Sequence, residues 1–177
     1  MKISRLLILL IFFQFWNLCS AQEKVYDTTK LKKLDLVLSS GYVLQGNSFG
    51  ELNLLIGKVI FENGKFPILG LDALRVGLES NFRNNENQIL APKIGLELSN
   101  LFVIVRLSFV NYFQHSSSEF RIIPEIGFSL GGLVNLTYGY GINLNNGNIS
   151  GLSKHRLGIS INLNKTLRKG VKEIYGL

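Results

Sequence analysis

Across residues 75–163 apolar side chains alternate with polar or small ones. Arg75-Val76-Gly77-Leu78-Glu79 sets the pattern, and Lys93-Ile94-Gly95-Leu96-Glu97-Leu98 repeats it. Arg106-Leu107-Ser108-Phe109, Glu125-Ile126-Gly127-Phe128-Ser129-Leu130, the run 135–144 and the run 156–163 carry it on. Successive side chains of an extended strand point to opposite faces, so each segment has one apolar and one polar face. The alternation predicts eight strands, at 35–46, 49–60, 71–82, 89–98, 101–113, 119–130, 133–144 and 155–164.

The fold expected is all-β: a single closed antiparallel eight-stranded transmembrane β-barrel. Roughly 20 residues per strand and connection leave room for the ~9–11 that a membrane-crossing strand needs. Closure leaves no unpaired edge, as lipid requires. With both barrel ends of the chain periplasmic, Ser99-Asn100 and Gly131-Gly132 supply tight inner turns. The runs 83–88, 114–118 and 145–154 supply longer outward loops. The long inner run 61–70 and the short outer run 45–48 break this rule, so strands 1 and 2 are the least defined.

Which face turns inward follows from side-chain size. The polar face holds Gly77, Gly95, Ser108, Gly127, Ser129, Gly139, Gly141, Gly158 and Ser160 between a few charges. A water-facing exterior favours long charged side chains. An eight-stranded lumen has room only for side chains, so it favours small residues beside a few long ones. The opposite face is bulky: Tyr42, Leu78, Leu96, Phe109, Phe128, Tyr138, Ile159 and Leu163. Phe49, Phe82, Phe113 and Phe120, near strand ends, suit interfacial girdles. The polar face is therefore expected inside. A soluble lipocalin-like carrier of an apolar ligand is the alternative and would reverse the two faces.

The expected lumen then contains Arg75, Lys93, Arg106, Arg121 and Arg156 against Glu51, Glu79, Glu97 and Glu125. A buried charge without a counter-charge is costly. An ion-paired plug is therefore expected instead of an open pore. A register in which paired numbers of strands 3 and 4 sum to 172 would set Arg75 opposite Glu97 and Glu79 opposite Lys93.

Residues 1–21 read as a secretory signal peptide. Lys2 and Arg5 precede an apolar run from Leu6 to Phe13, and Cys19-Ser20-Ala21 forms a small-residue cleavage site. Its removal leaves 156 of 177 residues, takes the only cysteine, and lowers the net charge from +7 to +5. Disulfides are then excluded. Two histidines exclude a multi-His metal site, and no basic cluster suggests nucleic acid. No cofactor is expected. Residues 22–34 read as a periplasmic N-terminal segment, 35–164 as the barrel, and 165–177 as a basic periplasmic tail.

Pro92-Lys93-Ile94-Gly95-Leu96-Glu97, Arg121-Ile122-Ile123-Pro124-Glu125-Ile126-Gly127 and Tyr138-Gly139-Tyr140-Gly141-Ile142-Asn143-Leu144 resemble small outer-membrane β-barrel proteins of Bacteroidota. The architecture implied is that of OmpA/OmpX-type barrels, over about residues 35–164. The resemblance implies a monomer in outer-membrane lipid with a structural, adhesive or surface-interaction role. Arg156–Leu163 also resembles the assembly signal on the last strand of such barrels. That implies reading of Gly158, Ile161 and Leu163 by the barrel-assembly machinery. The chain departs from the pattern by continuing past the strand and lacking the terminal aromatic.

His115-Ser116-Ser117, with Glu119 and Glu125 downstream, contains the residue types of acyl transfer: base, nucleophile and orienting carboxylate. It resembles, without the flanking motif, the eight-stranded lipid A deacylases. A solvated Ser-rich loop accounts for the same residues, and no enzymatic activity is expected. His155, between Lys154 and Arg156, reads as a cationic interface residue. The run 145–151 (NNGNISG) is turn chemistry.

Overall fold

The computed structural model describes residues 34–62, 64–65, 67–83, 87–145, 147 and 149–176. The expected signal peptide and residues 22–33 lie outside the described residues. The strands are β1 (Asp35–Gln45), β2 (Asn47–Glu62), β3 (Ile68–Ser80), β4 (Leu90–Ser99) and β5 (Val103–Gln114). They continue as β6 (Ser117–Leu130), β7 (Val134–Tyr140), β8 (Ile142–Asn143) and β9 (His155–Leu163). One helix follows, α1 (Lys165–Tyr175).

Strands β1 to β6 pair in sequence order, all antiparallel. Both β7 and β8 pair with β6, β9 pairs with β7, and β1 pairs with β9 to close the ring. β7 and β8 are two pieces of one stave, interrupted at Gly141, whose N–H donates to the Lys154 carbonyl at 2.7 Å. The fold is thus a closed eight-stranded antiparallel barrel with one stave split.

Local chemistry sets the turns. At the near end, where α1 lies, Gly131 and Gly132 both have positive φ (59° and 78°) at the centre of the β6–β7 turn, which the Leu133 N–H closes onto the Leu130 carbonyl at 2.9 Å. Asn100 Oδ1 accepts the Phe102 and Val103 N–H groups and bends the chain between β4 and β5. The expected long run 61–70 shrinks, because β2 continues to Glu62 and β3 begins at Ile68. At the far end, Gly46 (φ 75°) alone separates the paired Gln45 and Asn47. A Cβ there would lie 2.2 Å from the Gly151 carbonyl oxygen, so only glycine fits.

One expected outward loop, 114–118, is instead a tight turn at His115-Ser116, because the ladder continues to Gln114–Ser117. The long far-end connections are 81–89 and 144–154.

The two faces separate by side-chain chemistry. Leu78, Leu96, Phe128 and Ile159 point outward and are 44%, 55%, 76% and 49% exposed. Arg75, Glu79, Lys93, Glu97, Arg106 and Arg156 point inward and are buried. Phe49 departs from the expected outer girdle. β2 begins at Asn47, so Phe49 shares the inward face with Glu51 and packs edge-on to Tyr112, ring centroids 6.1 Å apart.

The interior is layered. A far-end apolar cluster contains Val43, Phe49, Ile89, Val110, Tyr112, Ile123 and Ile149. Charges fill the middle. Val37, Leu55, Leu71 and Ala73 form an apolar layer toward the near end. The residues expected as a basic tail form helix α1. Asn164 caps its start by accepting from the Thr166 and Leu167 N–H groups, and Gly176 ends it in the left-handed conformation. Leu167 and Val171 pack on Leu69, with Phe61 and Leu133 beside them.

Candidate functional site

The candidate site is the charged middle of the lumen. Inward parity aims long charged side chains at the axis from β2, β3, β4, β5, β6 and β9, while the inward faces of β1 and β7 carry none, and glycines on the same faces leave space. Gly95 is one such position: an added Cβ would lie 2.3 Å from the Leu107 carbonyl oxygen.

Arg156 on β9 is the hub. Its Nη2 donates to Glu79 Oε1 at 2.5 Å and its Nη1 to Glu79 Oε2 at 2.9 Å. Its Nε donates to Glu125 Oε1 at 3.1 Å, and its Nη2 lies 3.5 Å from Glu51 Oε2. Nη1 also reaches Gln45 Oε1 at 3.1 Å and Tyr112 Oη at 3.3 Å. Lys93 bridges Glu51 and Glu79, at 2.7 Å for Glu79. Arg75 donates to Glu51 at 2.7 Å and lies 3.6 Å from Glu97.

A second group sits nearer α1. Arg106 Nε donates to Glu97 at 2.8 Å and its Nη2 to Ser160 Oγ at 2.7 Å. Asn162 Nδ2 donates to Glu97 Oε1 at 2.9 Å, joining β9 to the diametrically opposed β4. Side chains thus cross the lumen in several directions, with carboxylates taking charge-assisted hydrogen bonds from more than one cation.

A third group latches the far mouth. Arg121 Nε donates to Glu119 Oε1 at 2.7 Å, and Arg121 also donates to the Ser153 and Leu152 carbonyls, at 2.5 and 3.2 Å. Glu119 Oε2 accepts the Ile149 N–H at 2.8 Å. The 144–154 connection is thereby drawn in, with Ile149 buried and Leu152 packed on the cluster. Arg121 also lies over the Tyr112 ring, 5.7 Å from its centroid.

The sequence-predicted lumen residues Arg75, Glu79, Lys93, Glu97, Arg106, Arg121, Glu125 and Arg156 all lie buried inside the barrel. Glu119, at the start of the expected sixth strand but not among the expected lumen charges, joins them, because it shares the parity of Arg121 on β6. Among the described residues the interior thus holds five cations (Arg75, Lys93, Arg106, Arg121, Arg156) and five carboxylates (Glu51, Glu79, Glu97, Glu119, Glu125).

The expected register is corrected. β3 and β4 pair Arg75 with Gly95, Gly77 with Lys93 and Glu79 with Ala91, two residues from the sum of 172. A two-residue slip keeps every side chain on its face, so alternation cannot detect it. The Glu79–Lys93 and Arg75–Glu97 contacts form anyway, diagonally, because long side chains reach across that offset.

Gly158 faces the lumen, where a Cβ would lie 2.9 Å from Thr137 Oγ1, while Ile161 and Leu163 face outward. The acyl-transfer residues are not brought together. His115 sits in the β5–β6 turn (φ 51°), while Glu119 and Glu125 are engaged inside the barrel. Among the described residues no hydrogen bond joins His115 to a serine or a carboxylate. His155 is exposed on the outer wall, its Nδ1 2.6 Å from Tyr138 Oη, with the Tyr140 ring edge-on to it.

Sequence reasoning missed Gln45, Tyr112 and Asn162. Each shares the inward parity of its strand, and that was the available signal. Compared with protein-family models, curated proteins and solved structures, the chain matches none, so the barrel and its interior are the findings on which a function can rest.

Proposed function

We propose that this chain is an integral outer-membrane β-barrel protein with a structural or surface-interaction role, its lumen plugged by ion pairs and carrying no open pore. One observation carries the reading: leucines, isoleucines and aromatics cover the outside while the charges are buried within. Soluble monomers rarely expose contiguous apolar patches beyond a few hundred Å² (~300–600 for the largest). Here every stave contributes outward apolar residues, as Leu157, Ile159, Ile161 and Leu163 do on β9. Acyl chains accept such a wall at no cost, and a closed ring leaves no backbone edge unsatisfied in lipid. A soluble carrier of an apolar ligand needs the reverse arrangement.

Outer-membrane location and the Bacteroidota-type affiliation rest on the signal-like residues 1–21 and the motif resemblance. The role proposed is non-enzymatic. Surface contacts would fall to the connections 81–89 and 144–154. In biogenesis, Gly158, Ile161 and Leu163 would be read by the assembly machinery. The closed layers above and below the charges support a plug.

The test is membrane fractionation followed by electrophoresis with and without boiling. A membrane barrel is expected in the detergent-extracted outer-membrane fraction, migrating differently once boiled. Recovery in the soluble fraction overturns the location. A large steady conductance in planar bilayers overturns the plug.

A further inference from the structure

Helix α1 divides its surface by charge. Leu167, Val171 and Ile174 join the apolar contact with Leu69, Phe61 and Leu133. Lys165, Arg168, Lys169 and Lys172 recur at i, i+3, i+4 and i+7 and are exposed. Between the helix and the barrel rim lies a cavity of about 270 Å³, lined by Leu133, Asn162, Leu163, Asn164, Lys165 and Arg168.

The lining of this cavity is mixed in chemistry. Leu163 is 59% exposed and ends the outward apolar band of β9. Leu133 stands beside it in the β6–β7 turn. The rest of the lining holds two cations and no carboxylate. Among the described residues neither Lys165 nor Arg168 forms an ion pair, whereas Lys169 lies 3.6 Å from Glu173. The first helix amides are already satisfied, since Asn164 Oδ1 takes the Thr166 and Leu167 N–H groups at 2.8 and 3.1 Å. Recognition at this cavity therefore falls to the side-chain cations.

From this arrangement we infer that the cavity binds the headgroup of an anionic phospholipid of the leaflet at the near end of the barrel. Arg168 presents a planar donor fork and Lys165 a point charge to the phosphate. Leu163 and Leu133 lie along the first methylenes below it. Cationic heads beside an apolar wall at a barrel rim suit the boundary between acyl chains and headgroups. The inference rests on the proposed membrane location and adds a lipid-selective site to it.

Native mass spectrometry of the full chain in detergent micelles tests it, with phosphatidylglycerol and phosphatidylcholine added in equal amounts. Selective retention of phosphatidylglycerol is expected. The double variant Lys165→Gln/Arg168→Gln should lower that retention about tenfold. The double variant Lys169→Gln/Lys172→Gln, which removes equal charge from residues that do not line the cavity, should lower it severalfold less.

Equal retention of the two lipids, or equal loss in both variants, overturns the site. Displacement of the lipid by millimolar inorganic phosphate also overturns it, by showing a free-anion site. Boiled and unboiled samples run alongside separate the two failures. A heat-modifiable barrel without lipid selectivity removes only this inference. A chain that stays dispersed without detergent removes the membrane reading with it.

Discussion

Arg156 and Glu79 meet through twin hydrogen bonds of 2.5 and 2.9 Å, although β1 and β2 stand between the strands that carry them. The pair crosses the lumen and fastens non-adjacent staves. It also sits where carboxylates from three strands converge, since Glu51 and Glu125 contact the same guanidinium.

Removing this hub leaves buried carboxylates without a counter-charge. Arg156→Met should destabilise the barrel by about 3–5 kcal/mol, as loss of one member of a buried pair does. Adding Glu79→Gln should recover part of that loss, because one orphaned charge disappears. Urea titration of the heat-modifiable band reads both values, and a purely additive double variant would show that the two residues are not coupled.

The direction of the apolar wall is tested by Leu96→Arg. Leu96 is 55% exposed and points outward. In lipid a charge near the midplane of a barrel costs about 2–4 kcal/mol. In water the same exposed substitution stays within about 0.5 kcal/mol. Unfolding of the variant in vesicles measures the difference, and a neutral result counts against a lipid-facing wall.

Paired cysteines can read the β3–β4 register. Val76 pairs with Ile94, whereas the register that sets Arg75 directly opposite Glu97 would pair it with Leu96. Cys19 lies in the expected signal peptide, so a mature chain has no competing thiol. Val76→Cys/Ile94→Cys should form a disulfide on mild oxidation and Val76→Cys/Leu96→Cys should not. Mobility on a non-reducing gel after limited cleavage between the strands decides it.

Glu119 joins the 144–154 connection to the barrel wall through the Ile149 N–H and orients Arg121, which holds the Ser153 and Leu152 carbonyls. Glu119→Ala should release this connection while the remaining network holds the staves. Proteolysis at Lys154 in intact vesicles should rise severalfold, with little change in the boiling-dependent shift. Unchanged cleavage would mean that Ile149 and Leu152 hold the connection by apolar packing alone.

Much of the architecture was legible in the alternation. Period two fixes which side chains share a face, and the small residues on the polar face then place Arg75, Lys93, Glu97, Arg106, Glu125 and Arg156 inward. Strand ends were less legible. β2 and β3 extend into the run 61–70, because Phe61 and Leu69 still have an apolar surface to cover, and that surface belongs to α1. The helix itself is written in the sequence as Leu167, Val171 and Ile174 at i, i+4 and i+7. Its basic residues lie on the opposite, exposed face.

By itself, the sequence determined the parity of the strands from Arg75 onward, the sign of each inward charge and the Gly131-Gly132 turn. These are local properties, set by side-chain direction and allowed φ. Tertiary structure alone decided which charges meet. Register slips of two residues cost no change of face, and partners such as Arg156 and Glu79, or Asn162 and Glu97, become neighbours only when the sheet curls shut and brings distant strands within reach of long side chains.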